Sequence, residues 1–270
     1  MARLRAPDGC PWDRKQTPES LKPYLLEETY EVLEAIDHHD PLCLREELGD
    51  LMLQILFHAQ IGSERGTFTI DDVLEQLADK LVRRHPHVFG DRSGKEGAGT
   101  AEEVLTRWEE IKRNEREQAG DRNSPQSALS GVPKTLPALL RAYQVQARAS
   151  RVGFDWPHSR AGQEMVLAKI EEEIRELREA LAMTSDSRGG QVEAEFGDLL
   201  FALVNLGRFI KVNPEEALRQ ATNRFTARFE YVEQEAARQG RQLDQMTLEE
   251  MDALWEAAKQ REQQQETRIS

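Results

Sequence analysis

Cysteine is nearly absent: Cys10 and Cys43 are the only two in 270 residues. They are too few for a disulfide framework or a cysteine-based zinc site, and they fit a reducing cytoplasm. Long apolar runs are missing as well. The longest uncharged stretch, residues 51–63, contains Gln54, His58 and Gln60 and falls short of the ~18 apolar residues that span a bilayer, so no membrane segment is expected. The N-terminal Met-Ala-Arg-Leu-Arg-Ala-Pro carries positive charge with no apolar run behind it, and a secretory signal is not expected there. Positive charge is in the minority. Against 49 Asp and Glu stand 36 Lys and Arg, a net charge of −13 with no basic block, so nucleic acid is not an expected partner. The acidity points instead to metal cations, or simply to solubility.

Alternating apolar and polar residues, the mark of a half-buried strand, are also lacking. Helical spacing of Leu, Ile, Val and Phe takes their place through 21–37, 43–62, 71–84, 101–117, 163–183, 191–212, 214–239 and 247–263. Breakers separate these segments at Pro41, Gly62, Gly66, 90–99, 185–190 and Gly240. The pattern is all-α. Periodicity lapses into a Pro-, Gly- and Ser-rich stretch at 119–137, which reads as a linker. That divides the chain into an N-terminal domain 1–118, the linker 119–137, a C-terminal domain 138–262 and a polar tail 263–270, which lacks an apolar stripe and is expected to fray.

The two halves repeat each other at a nearly constant offset. Asp13 matches Asp155, Glu31 matches Glu176, Asp50 matches Asp198, Lys80 matches Arg224, Arg84 matches Arg228 and Trp108 matches Trp255. Duplication followed by small loop insertions leaves such a drift, with 185–190 as one insertion. Each half carries Glu-Glu-x-x-Glu on one helix and Glu-x-Gly-Asp-Leu on the next. These are Glu27, Glu28 and Glu31 with Glu47 and Asp50, and Glu172, Glu173 and Glu176 with Glu195 and Asp198. Residues three or four apart share a helix face, so an antiparallel pair can gather four or five carboxylates. Oxygen ligands of this kind suit Mg²⁺ or Mn²⁺.

Paired glutamates elsewhere in so acidic a chain, such as Glu102-Glu103 and Glu249-Glu250, read as solvated faces. The second helix of each half differs from them. At about 100° per residue, Glu47, Asp50, Gln54 and His58 fall within about 80° of one another, and leucines, methionine, isoleucine and phenylalanine fill the remainder. Glu195, Asp198 and Asn205 form the same narrow stripe. A helix of this kind is expected to be buried on most sides, with its acids facing a cavity or a metal. Gly49 and Gly197, costly within a helix, suggest close helix crossing.

Gly-Cys-Pro-Trp-Asp at 9–13, Leu-Glu-Glu-Thr-Tyr-Glu-Val-Leu-Glu-Ala-Ile at 26–36, Glu-Leu-Gly-Asp-Leu at 47–51, Arg-Arg-His-Pro-His-Val-Phe at 83–89 and Val-Gly-Phe-Asp-Trp at 152–156 together resemble the tandem-domain MazG nucleoside triphosphate pyrophosphohydrolases. The resemblance implies two tandem four-helix-core domains that dimerise as a homodimer. It also implies Mg²⁺-dependent hydrolysis of nucleoside triphosphates to monophosphate and pyrophosphate. Carried over by motif, the metal ligands are Glu28, Glu31, Glu47 and Asp50, and Glu173, Glu176, Glu195 and Asp198. Glu27 and Glu172 orient the attacking water or hold a further ion. Lys80 with Arg84, and Arg224 with Arg228, resemble the family's phosphate-contacting pair; Trp108 with Lys112, and Trp255 with Lys259, resemble its late substrate-contacting residues. Leaving pyrophosphate gathers negative charge and needs such cationic donors. The second copy departs from the first in having Arg224 for Lys80 and a longer spacing between its carboxylate pairs.

Three other readings compete. A di-iron carboxylate bundle needs Glu-x-x-His, and none of the six histidines has Glu three positions before it. A helical dimerisation or regulatory scaffold predicts that one copy has lost its ligands, and neither has. Guanosine tetraphosphate presents a similar pyrophosphate and remains an alternative substrate. A cytoplasmic, nucleotide-pool housecleaning role accompanies the main reading.

Overall fold

A computed structural model describes residues 1–89, 100, 104, 108, 111, 127–183 and 185–269, with the side chains of 185–189 and 265–269 left out. The chain divides into two compact units, Met1–Asn123 and Ser124–Ser270. Every element among the described residues is helical, and none of these helices is long and apolar enough to cross a membrane.

The first unit contains α1 (Ala2–Arg5), α2 (Pro11–Lys15), α3 (Lys22–Asp37), α4 (Pro41–Glu64), α5 (Ile70–Arg84) and α6 (Pro86–Phe89). α3 and α4 form its main packed pair. A tight loop reverses the chain between them: His39 takes a left-handed backbone with φ 52°, and the Asp40 carboxylate accepts from the N–H groups of Leu42 and Cys43 at 2.9 and 3.1 Å. Pro41 follows at the first helical position, where its missing N–H costs nothing. Thr69 and Asp72 close a reciprocal capping box on α5. Leu21, Phe57 and Ile61 form the buried cluster. Arg5 ties the N-terminal segment to the end of α4 through Glu64 at 2.7 Å.

The second unit contains α7 (Ala138–Arg151), α8 (Arg160–Ala182), α9 (Ser185–Phe209), α10 (Pro214–Arg238) and α11 (Leu248–Ile269), with a 3-10 turn at Leu243–Gln245. α8 and α9 pack most extensively, α7 lies against α9 and α10, and α10 pairs with α11. Val166, Ile170, Ala202 and Phe209 make the core, with Trp156, Ile174, Leu199 and Leu206 packed around them. Ser159 caps α8. A side chain on Gly162 would come within 1.8 Å of the Pro157 carbonyl oxygen, so the chain can enter α8 at that angle only with glycine there.

Several expectations need correcting. α7 falls outside the segments read as helical, although Leu139, Leu140, Tyr143 and Ala147 recur at three and four; that stripe packs against α9 and α10. Residues 185–190, expected to break the chain, begin α9, with a Ser-Asp-Ser composition that suits a helix start. The polar tail falls within α11, which runs to Ile269; Gln, Glu and Arg are good helix formers. The segment 101–117 lies outside the described residues except for Val104, Trp108 and Ile111, which are helical.

The largest correction concerns α4 and α9. Neither is buried on most sides: Leu48 and Met52 are 49 and 52 % exposed, Phe196 is 52 % exposed, and Ile55, Leu56 and Leu203 are exposed too. Within one unit each helix has neighbours on only part of its circumference, so an apolar face is left uncovered. Gly49 and Gly197 do not mark close crossings, since a side chain at either would meet open space.

Candidate metal centres and the adjoining cavity

Each unit brings acids from two helices together. Glu28 of α3 and Glu47 and Asp50 of α4 offer carboxylate oxygens within 4.8 Å of one another, and so do Glu173 of α8 and Glu195 and Asp198 of α9. The cause is local. Glu47 and Asp50, and likewise Glu195 and Asp198, stand three apart on one helix face, and the packed partner helix supplies the third acid. Three carboxylates so close repel one another, and a hard divalent cation with oxygen preference is the natural neutraliser. The donor set therefore fits Mg²⁺ or Mn²⁺.

The remaining acids fall around these triads. Glu31 joins the first cluster's field: desolvation, followed by the like charges of Glu47, Glu28 and Glu27, pushes its carboxyl up from the ordinary value. Glu176 lies outside the second triad, with Arg175 at 3.9 Å. Glu172 is held by the Lys169 ammonium at 2.9 Å, and the same ammonium reaches Glu173 at 2.7 Å. Hydrogen bonds to these two carboxylates raise the Lys169 pKa, that of Glu173 contributing most. Lys169 is a residue the sequence reading missed; its placement three and four positions before the two acids is the signal that could have found it. The first cluster has a neutral counterpart, Gln54, whose Nε2 donates to Glu28 at 3.3 Å. Cys43 adds its thiol 3.7 Å from Glu47, with desolvation first and the Glu47 charge next raising the thiol pKa.

The basic and aromatic candidates form contacts of their own. Arg228 is paired with Glu262 at 2.6 Å and lies over the Trp255 ring at 5.8 Å, and Trp255 also meets Phe225 at 5.1 Å. Lys259 is bound to Glu256 at 2.6 Å. Among the described residues neither Arg224 nor Arg228 makes an ion pair with the second cluster. Lys80 shares an open groove on α5 with Asp72, Glu75, Asp79 and Arg83, and Arg84 is half-buried near the end of the same helix. Trp108 packs edge-on to His85 at 4.8 Å. Lys112 lies outside the described residues.

A cavity of about 870 Å³ opens beside the second cluster, with Glu173 and Asp198 in its wall next to Lys169, Phe154, Trp156 and Phe201. Its floor is held by a buried ion pair, Arg208 with Asp155 at 2.7 Å. Burial pushes the Asp155 carboxyl up, but Arg208, Ser150 and the Trp156 N–H more than offset that, and the net shift is down.

Fold and site together define an all-α protein with a carboxylate triad in each of two helical units. Comparison with known proteins gives that class its family. The MazG nucleotide pyrophosphohydrolase domain matches residues 16–89. A nucleoside triphosphate pyrophosphohydrolase/pyrophosphatase MazG from Thermotoga maritima is 49 % identical, the match covering 96 % of this chain and 92 % of that one. A nucleoside triphosphate pyrophosphohydrolase from Escherichia coli K12 is 44 % identical over 97 % of this chain and 95 % of its own. One from Mycobacterium tuberculosis is 41 % identical over 57 % of this chain and 43 % of its own. The chain belongs to the MazG nucleotide pyrophosphohydrolase family.

Proposed function

We propose that this protein hydrolyses ribo- or deoxyribonucleoside triphosphates between the α and β phosphates, giving monophosphate and pyrophosphate. The observation that carries the reading is the second triad, Glu173, Glu195 and Asp198, two of whose members, Glu173 and Asp198, stand in the wall of a cavity with aromatic and polar lining. The names of the full-length relatives support the same chemistry. Mg²⁺ held by the carboxylates, with Mn²⁺ able to replace it, supplies neutralisation of the triphosphate and activation of water. Glu173, Glu195 and Asp198 are its ligands in the second unit, with Glu176 contributing from the edge; Glu28, Glu31, Glu47 and Asp50 have that role in the first. Glu172, turned by Lys169, orients the attacking water, and Glu27 does so in the first unit. Lys80, Arg84, Arg224 and Arg228 receive the phosphates, and Trp108, Lys112, Trp255 and Lys259 complete the substrate contacts.

Product identification tests this directly. Each of the eight ribo- and deoxyribonucleoside triphosphates, incubated with protein and Mg²⁺, is expected to yield monophosphate and pyrophosphate. Chelator should stop the reaction, and Mg²⁺ or Mn²⁺ should restore it. Diphosphate plus orthophosphate, or full turnover in excess chelator, overturns the assignment. Turnover of guanosine tetraphosphate alone would replace the substrate class.

The same reading includes internal duplication of one helical unit, a cytoplasmic housecleaning role and a homodimer. The uncovered apolar faces of α4 and α9 support the dimer, because a second copy would shield them as a bundle core does. Light scattering is expected to give twice the chain mass of 30.9 kDa. A monomer with undiminished activity contradicts it.

A further inference from the structure

Two turns beyond each cluster aspartate, the long helices of the two units carry different chemistry. α4 has Phe57, buried with Leu21 and Ile61 and edge-on to Trp12 at 6.3 Å. α9 has Asn205, buried at 7 % exposure, and Arg208 nearly a turn further on. The Asn205 Oδ1 accepts from Arg208 Nε at 3.1 Å and from a terminal guanidinium nitrogen at 2.7 Å. Arg208 is clamped in turn on both oxygens of Asp155, which also accepts from the Trp156 N–H at 2.9 Å and has His158 Nε2 at 3.1 Å. These donors decide which end of the amide is oxygen. Nδ2 is left as a donor with no partner among the described residues.

Asn205 lines the cavity together with Gln146, Phe154, Trp156 and Phe201. Gln146, equally buried, has the complementary deficit: Nε2 donates to the Phe201 carbonyl at 2.8 Å, and Oε1 has no partner. A buried acceptor without a partner and an amide donor left free beside it line the same open cavity, and a ligand entering there can supply both partners. Asn205 stands about 10 Å along the helix from Asp198, the separation that a sugar and a base span when the phosphates lie at the carboxylates. The flanking side chains are aromatic, and Phe154 is 83 % exposed, a face on which a heterocycle stacks.

We propose that Asn205 is a specificity-determining residue: its Nδ2 donates to a ring nitrogen or carbonyl oxygen of the substrate's nucleobase, in a slot walled by Phe154, Trp156 and Phe201. Arg208 and Asp155 are positioning residues that fix the amide. The proposal rests on the reading of this cavity as the nucleoside triphosphate site. It places this contact in the second unit, since Phe57 offers no donor.

Binding separates the two ideas. Isothermal titration of the full chain with Mg²⁺ would use α,β-methylene analogues of the four ribonucleoside triphosphates and base-free ribose 5-triphosphate. Asn205→Asp keeps an oxygen for Arg208 and removes the donor; Asn205→Ser removes its reach and serves if the aspartate variant does not fold. At least one nucleotide is expected to weaken tenfold or more beyond the change seen for the base-free compound, and the order of the four to change. Equal loss across all five ligands overturns the proposal, because it signals a sugar contact or a structural role. A wild-type protein that binds the nucleotides while the variants keep its affinities also overturns it, leaving the proposed reaction intact. A wild-type protein that binds none of the nucleotides overturns both.

Discussion

Asp198→Ala is expected to lower nucleoside triphosphate turnover by at least about 100-fold, since even outer-shell partners of a metal ligand cost 10–100-fold, whereas Asp50→Ala leaves a substantial fraction. Both aspartates belong to carboxylate triads of the same construction, so the asymmetry has to come from their surroundings. Beside Asp198 lies the cavity with Lys169, Asn205 and the aromatic walls. In the first unit the position corresponding to Asn205 is filled by Phe57, packed among Leu21 and Ile61, and the acids are supported by Gln54 in place of a lysine. Phe57 in place of Asn205 removes one polar contact for the rest of the substrate, and a triad gains less from its metal where that contact is missing, because catalysis needs the reacting bond held as well as the charge neutralised. Rates of the two variants with Mg²⁺ decide the matter. If Asp50→Ala is inactive and Asp198→Ala is normal, the roles are reversed; if each loses about half, the units are equivalent. Circular dichroism has to accompany the rates, because relieving repulsion in an acidic cluster can stabilise a protein while removing its activity.

Much of this is legible in the amino-acid sequence alone. Glu47, Asp50 and Gln54 announce themselves because a helix repeats its faces every three or four residues, and a polar stripe on an apolar helix stands out at that period. The pairing of each stripe with a glutamate from the preceding helix follows from a short connection between neighbours. What was hidden depends on distance in sequence. Arg208 and Asp155 are 53 positions apart, and no local pattern announces that their side chains meet. The aromatics of 154–156 read only as part of a motif, because a turn of irregular backbone has no period. The apolar residues of α4 and α9 illustrate the opposite error. Periodicity shows that a face seeks cover but not whether the same chain provides it, and here Leu48, Met52 and Phe196 stay open.

Removing the guanidinium from Arg208 is expected to destabilise the second unit by about 3–5 kcal/mol, the range for breaking a buried ion pair by deleting one partner. Both side chains are nearly inaccessible, at 8 and 9 % exposure, so Arg208→Ala leaves the Asp155 carboxylate without its main counter-charge and Asn205 without its two donors. It also strips the guanidinium from the Phe209 ring, 4.8 Å away, at the edge of the core. The pH dependence has a definite sign. Arg208 helps to hold the Asp155 pKa below its ordinary value, so the stabilisation is complete above the unfolded carboxylate pKa and is lost as pH falls through the lower folded value. The difference between wild type and Arg208→Ala should therefore be full at neutral pH and shrink in acid. Replacing both partners, as in Arg208→Met with Asp155→Leu, should recover much of the loss, because no charge is then left buried. Urea unfolding followed by hydrogen exchange of the α9 amides checks this in the full chain. An Arg208→Ala protein within about 1 kcal/mol of wild type would place the pair among interactions no stronger than an ordinary surface contact, and the amide of Asn205 would then need another anchor.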